Sequence, residues 1–164
     1  MDLYEELVGL IEALGGAGLE YALCGGIAVA FHGYPRFTKD IDVLIRSQDV
    51  DRVLDVVRDR GFVFDAGLIQ FDAGGPHERT IQRVSKVQGQ EILTLDLLIV
   101  NPLLQDVWDG REVFDWKGRR VQIVSADGLA QMKRLAGRDQ DLLDLNQLGF
   151  TTEEEGGREE NEAH

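Results

Sequence analysis

Asp40 and Asp42 stand two residues apart in the run "DIDVLI". In an extended strand, residues i and i+2 project from the same face, about 6.5–7 Å apart. Two carboxylates held that way either share a proton or bind a cation. A third, Asp96, lies inside the apolar run "LTLDLLIV", where a lone charge is expensive to bury. An aspartate there is most easily accommodated if it faces the other two. Ligation by oxygen alone selects a hard ion, Mg2+ or Mn2+ rather than zinc. Upstream, "CGGIAVAF" reads as a strand-to-helix turn with no side chains in the way at Gly25 and Gly26. Backbone amides can approach an anion there. A phosphate beside Gly25–Gly26 with metal ions on Asp40, Asp42 and Asp96 is an arrangement for phosphoryl transfer.

The elements that must position these groups follow from periodicity. Leu3, Leu7, Leu10, Ile11 and Leu14 have helical spacing, and Gly15–Gly16 end that run. "LEYALCG" reads as a short strand, "GIAVAFHG" as a helix stopped at Gly33, and "DIDVLIR" as a second strand. "SQDVDRVLDVVRDRG" reads as a helix with Ser47 as its N-cap. "FVFDAG" is a third, short strand, followed by a hairpin of "HERTIQRVSKV" and "EILTLDLLIV" turned at "QGQ". A short helix reaches Trp108, and "REVFDWKGRRVQIV" is a second hairpin turned at Lys117–Gly118. Two closing helices are expected, "SADGLAQMKRLA" capped by Ser125 and "RDQDLLDLNQLG" after Gly137. Helices interleaved with strands give an α/β (α+β) fold, a mixed β-sheet with helices packed on it.

Composition narrows the class. The chain has 164 residues with a net charge of −13, and residues 1–150 read as one domain. Residues 151–164 hold six glutamates against one arginine, a net −5, and read as a disordered acidic tail. The remaining −8 disfavours non-specific nucleic-acid binding, so an anionic substrate needs local cations. The single cysteine, Cys24, excludes a disulfide framework and reads as a buried strand residue. No apolar run is long enough for a bilayer, and the acidic N-terminus lacks the pattern of a signal peptide. The expectation is a cytoplasmic protein.

"GG", thirteen residues, then "DID", then a distant strand aspartate resembles the DNA polymerase β-type nucleotidyltransferase superfamily. The longer form "GGIAVAFHGYPRFTKDID" is similar to small bacterial and archaeal members, including nucleotidyltransferases of abortive-infection and toxin–antitoxin systems. The resemblance spans roughly residues 20–148. It implies a nucleotidyltransferase domain in which Gly25 and Gly26 cradle a triphosphate and Asp40, Asp42 and Asp96 ligate Mg2+ or Mn2+. Asp96 would also be the carboxylate on the acceptor side. It further implies a phosphate-contacting basic residue on the first closing helix, Lys133 ahead of Arg134. Many members have "GS" where this chain has "GG", so a serine hydroxyl contact is missing.

Other polar residues have simpler readings. Arg36 is either a counter-ion of the aspartates or a phosphate ligand, and Thr38 either stabilises the turn or contacts the nucleotide. His32, at a helix end, reads as a structural residue that satisfies carbonyls. Arg79, Arg83 and Lys86 read as exposed hairpin charges, with an acceptor cleft as the alternative. Asp141 and Asp144 read as answering a helix dipole or pairing with Arg138. The leading expectation is an Mg2+-dependent enzyme moving a nucleoside monophosphate from an NTP to an acceptor hydroxyl or phosphate on a small molecule, a tRNA or a protein. The alternative is a non-catalytic module that binds a nucleotide or a partner, including a toxin–antitoxin component with an antitoxin partner.

Overall fold

The computed structural model describes residues 1–34 and 38–136. Seven strands form one mixed sheet: β1 (Ala22–Cys24), β2 (Asp40–Ile45), β3 (Phe64–Phe71), β4 (Arg79–Gln88), β5 (Glu91–Ile99), β6 (Glu112–Trp116) and β7 (Arg119–Ile123). Their order is β3-β4-β5-β2-β1-β7-β6. β2 pairs parallel with β5 and β1 pairs parallel with β7, while the other neighbours are antiparallel. Five helices accompany the sheet: α1 (Leu3–Gly16), α2 (Gly25–Phe31), α3 (Val50–Asp59), α4 (Gln105–Asp109) and α5 (Ala126–Ala136). The α+β fold expected from the residue pattern is the one observed.

The central strands are apolar because both faces are covered. Ile41, Val43, Val84, Leu95 and Leu97 are buried, and strand alternation sets them on the face opposite Asp42, Asp96 and Arg83. Lys86, on their side of β4, reaches Glu6 of α1 at 2.9 Å. That contact places α1 over the face away from the aspartates, and α3 packs beside α1. The α1 stripe Leu7, Leu10, Ile11 and Leu14 is buried as its spacing predicts. Asp2 caps α1 by accepting from the amides of Tyr4 and Glu5. Ser125 caps α5 by accepting from the Gly128 amide at 3.0 Å, as expected. The hairpin turn at Lys117–Gly118 has positive φ at both residues, the geometry that matches strand twist.

Two local readings are corrected. Ser47 is not the N-cap of α3; Ser47–Asp49 form a 3₁₀ turn and Asp49 precedes the helix. The Asp49 carboxylate is tied to Arg46 at 3.0 Å, and that pairing shapes the turn. The third strand is not a short segment ending near Gly67 but runs to Phe71, paired with β4 along its length. Gly67 adopts φ +81° at a bulge between Asp65 and Gly67, so the glycine that read as a stop is absorbed into the ladder. The expected second closing helix, with Asp141 and Asp144, and the acidic tail lie outside the described residues. No described helix is long and apolar enough to cross a membrane.

The β2 core face is what holds the aspartates in register. Ile41 is 0% exposed and Ile92 is 69% exposed. Ile41→Ala is expected to lower the unfolding free energy by about 2–4 kcal/mol in a denaturant titration. Ile92→Ala should change it by less than about 0.5 kcal/mol.

Candidate active site

Strand register brings the candidate residues into one row. Cys24 is opposite Asp42 across β1 and β2, Asp42 is opposite Asp96 across β2 and β5, and Arg83 is opposite Asp96 across β4 and β5. Directly opposed residues share a face, and adjacent strands lie about 4.8 Å apart. Asp40 joins the same face two residues before Asp42. Asp40, Asp42 and Asp96 together line a cleft of about 330 Å³ with Cys24, Gly25, Gly26, Thr38, Arg79, Arg83 and Lys133. Phe71, Ile81, Leu98, Leu129, Met132 and Leu135 add apolar surface to its walls. Apart from Arg36, which lies outside the described residues, every residue expected at the site lines this cleft.

The glycine pair has a local cause as well as an open approach. Gly25 has φ +62°, and a Cβ built there would overlap the Asp42 carboxylate. Only glycine serves at a position that combines a left-handed backbone with that close neighbour. The turn from β1 into α2 is therefore shaped around Asp42. Thr38 lines the cleft, and its hydroxyl donates to the Asp40 carbonyl at 3.2 Å, which is the turn-stabilising role.

Asp96 is 7% exposed, between Leu95 and Leu97 in sequence. Its charge is compensated by Arg83, whose Nε donates to Oδ1 at 2.8 Å and whose Nη2 donates to Oδ2 at 3.0 Å. A two-point fork of this kind is among the stronger charge-assisted pairs. Asp96 first, with Asp40 and Asp42 adding, holds the Arg83 guanidinium in its charged form. Lys133 on α5 is also buried and lines the cleft. The described charged residues of the cleft are Asp40, Asp42, Asp96, Arg79, Arg83 and Lys133, which balance in formal charge. The local cations that an anionic substrate requires on an acidic chain are thus present.

For two of those cations a cleft was only the alternative reading of the sequence. Arg79 and Arg83 read as exposed hairpin charges, yet both line the cleft. Lys86 points to the other face and pairs with Glu6 at 2.9 Å. The signal for Arg83 lay in the hairpin itself: counting outward from the turn at Gly89–Gln90 puts residue 83 opposite residue 96. Arg79 lies over the Phe71 ring, 5.1 Å from its centroid, and donates to the Leu135 carbonyl at 3.1 Å. His77 donates to the same carbonyl from Nδ1 at 2.7 Å. His32 donates from Nε2 to the Val124 carbonyl at 2.8 Å, the structural role expected of it.

The donor set of the cleft is three carboxylates, which suits a hard divalent ion. Among the described residues, no three acidic, histidine or cysteine side chains are gathered closely enough to cage a metal as they stand. Both oxygens of Asp96 are engaged by Arg83. Asp40 and Asp42 are the carboxylates of the set outside that bridge.

No protein-family model matches the chain, and no curated protein matches it in sequence. Solved structures do match in shape. A Thermotoga maritima protein described as a candidate nucleotidyltransferase superposes with a TM-score of 0.59 at 12% identity, over 88% of this chain and 90% of that one. The antibiotic-resistance factor ANT(2″)-Ia, in solution, gives 0.54 at 15% identity over 84% and 74%. A candidate nucleotidyltransferase from Helicobacter pylori gives 0.50 at 20% identity over 88% and 65%. The chain has the nucleotidyltransferase fold, in agreement with the resemblance carried by its GG and DID residues.

Cys24 is fully buried, and burial pushes its thiol well above the ordinary value, with Asp42 adding to the effect and Lys133 opposing it. A neutral, enclosed thiol is a poor nucleophile. The native chain at pH 8 is expected to react with a disulfide reagent at least about 100-fold more slowly than the guanidinium-unfolded chain. Gly18 supplies a control for the glycine turn, since it has φ +69° with nothing within 4 Å of an added Cβ. Gly18→Ala should cost about 1 kcal/mol from backbone strain alone. Gly25→Ala should cost clearly more in the same denaturant assay, because Asp42 must also move.

Proposed function

We propose that this chain transfers a nucleoside monophosphate from an NTP to an acceptor hydroxyl or phosphate. The observation that carries the reading is that Asp40, Asp42 and Asp96, from two different strands, line one cleft with Gly25, Gly26 and Lys133. The fold is that of nucleotidyltransferases, and the cleft combines carboxylates for a hard ion with cations for a polyphosphate. Asp40, Asp42 and Asp96 are the residues that would hold Mg2+ or Mn2+. When bound, such an ion neutralises triphosphate charge and the charge that builds up in the transition state.

The chain's own residues divide the remaining work. Gly25 and Gly26 leave room for phosphate oxygens beside the start of α2, and Lys133 offsets their charge from α5. The acceptor oxygen forms a new bond to the α-phosphorus as the bond to the β-phosphate oxygen breaks, and pyrophosphate leaves. The acceptor proton passes toward Asp96, the carboxylate on the acceptor side. Arg79 and Phe71 offer a charged and an aromatic surface in the lining of the cleft, where part of the nucleotide or acceptor can be enclosed. The acceptor belongs to one of three classes, a small molecule, a tRNA or a protein.

A second reading has a specific observation in its favour. Arg83 holds both oxygens of Asp96, and a site left in that state would bind a nucleotide without turning it over. Each radiolabelled NTP, incubated with Mg2+ and candidate acceptors of the three classes, separates the two. Labelled acceptor and released pyrophosphate are expected, and Asp42→Asn should reduce the rate by about 10³-fold or more, the scale of losing a catalytic-site group. Metal-dependent nucleotide binding without pyrophosphate over hours would favour the binding module. Asp42→Asn that binds and turns over like the wild type would rule out the transferase reading.

A further inference from the structure

The sheet face that carries the three aspartates continues past them as an open apolar floor, and the strand register lays it out in rows. Asp42, Asp96 and Arg83 form the first row. Asp40, Thr94, Ser85 and Phe64 form the next, across β2, β5, β4 and β3. Ile92 and Val87 oppose each other in a third. Strand alternation keeps all of them on one face, and Phe64 lies diagonally from Val87, within reach of a ring. The two ends of this face are covered differently. Arg79, two residues before Ile81 on β4, donates to the Leu135 carbonyl at 3.1 Å, so α5 closes the end marked by Ile81 and Leu98. At the other end Phe64 is 57%, Val87 43% and Ile92 69% exposed. Adjoining exposed apolar side chains of this kind mark a surface for a partner.

We propose that this floor receives a protein with an apolar patch and a basic rim, and that this protein carries the acceptor hydroxyl. The reaction rests on the nucleotidyltransferase reading of the cleft; the class of acceptor rests on the floor. The floor begins at Asp96, the carboxylate on the acceptor side, so whatever lies on it stands beside the reacting hydroxyl. A serine, threonine or tyrosine oxygen bonds to the α-phosphorus, its proton passes toward Asp96, and pyrophosphate leaves. A small acceptor is held by enclosure, which an uncovered sheet face does not give. An RNA strand is held by cations and stacked rings. Among these floor residues Phe64 is the one ring, and the cation, Arg83, is already bridged to Asp96. An apolar centre is what a protein interface offers. The net charge of −13 repels a second copy and favours a partner with a basic rim.

The test incubates the full chain and Mg2+ with each α-radiolabelled NTP and three fractions of a soluble extract of its source cells. These are nuclease-treated protein, protease-treated RNA and a small-molecule filtrate. Wild type is compared with Ile92→Glu and Phe64→Asp on the floor. Two exposed apolar residues elsewhere serve as controls, Leu68→Asp and Val113→Asp. Leu68 is 63% exposed on the opposite face of β3, paired with Gln82, and Val113 is 51% exposed on β6. Each variant is verified as folded by thermal melting. Label is expected on protein, removed by protease and resistant to nuclease. Ile92→Glu and Phe64→Asp should each lower it about tenfold or more, the scale of losing an apolar anchor. Leu68→Asp and Val113→Asp should stay within about twofold of wild type. Labelling should weaken as added salt screens the acidic chain.

Label on RNA or on the filtrate alone would overturn the protein acceptor and leave the transferase reading standing. Protein label that Ile92→Glu and Phe64→Asp leave undiminished, or that the two controls lower equally, would overturn the floor. If Phe64→Asp does not fold, the fully labelled product of Ile92→Glu has the same force. Labelling that salt leaves unchanged rejects the basic rim. Label on the chain alone, with a dimer in sedimentation that Ile92→Glu abolishes, assigns the floor to a second copy and overturns the proposal. No label in any fraction with any of the NTPs rejects the transferase reading itself, and the acceptor floor with it.

Discussion

Asp42 and Asp96 sit side by side on parallel strands, and this juxtaposition sets the terms for everything around them. Two carboxylates about one strand spacing apart repel each other at short range in a partly dry environment. The fold answers with three cations brought from two different elements. Arg83 comes from β4 and Lys133 from α5, while Arg79 stands at the start of β4. The apolar face of the same strands, with Ile41, Val43, Leu95 and Leu97 buried, keeps the two aspartates from sliding out of register. A one-residue slip would send them into the layer under α1.

The close approach at Gly25 belongs to the same problem. β1 is only three residues long and delivers the chain straight into α2, so the turn must bend within reach of the Asp42 carboxylate. A left-handed glycine allows that bend and leaves the carboxylate its place. The double glycine in the sequence is thus explained twice over, as room for Asp42 and as exposed backbone beside the cleft.

Much of this could be read from residue pattern because the devices are local. Alternation fixed the shared face of Asp40 and Asp42, the lone charge in "LTLDLLIV" marked Asp96, and turn residues located both hairpins. Ser47 and the length of β3 were misread because their outcome depends on partners distant in sequence or on a side-chain pair. Asp49 bonded to Arg46 makes a 3₁₀ turn where a helix cap was expected, and pairing with β4 carried β3 past its glycine. Arg83 was available in principle, since the hairpin register points it at Asp96, but exposure along a hairpin is decided by what covers it. The contact of His77 and Arg79 with the Leu135 carbonyl joins residues nearly sixty positions apart and leaves no trace in local pattern.

The bulge in β3 has a consequence beyond fitting a glycine. Among the described strands, β3 and β6 end the sheet, and β3 carries exposed Phe64 and Leu68. A long, straight, apolar border of that kind would recruit strands from other molecules and seed aggregation. At Asp65–Gly67 the border is broken: the Asp65 carboxylate accepts from the Gly67 amide at 2.6 Å and from the Gln82 side chain. The evenly spaced row of donors and acceptors that an incoming strand would need is interrupted there by a pinned charge. At the opposite border, five-residue β6 is protected by its shortness.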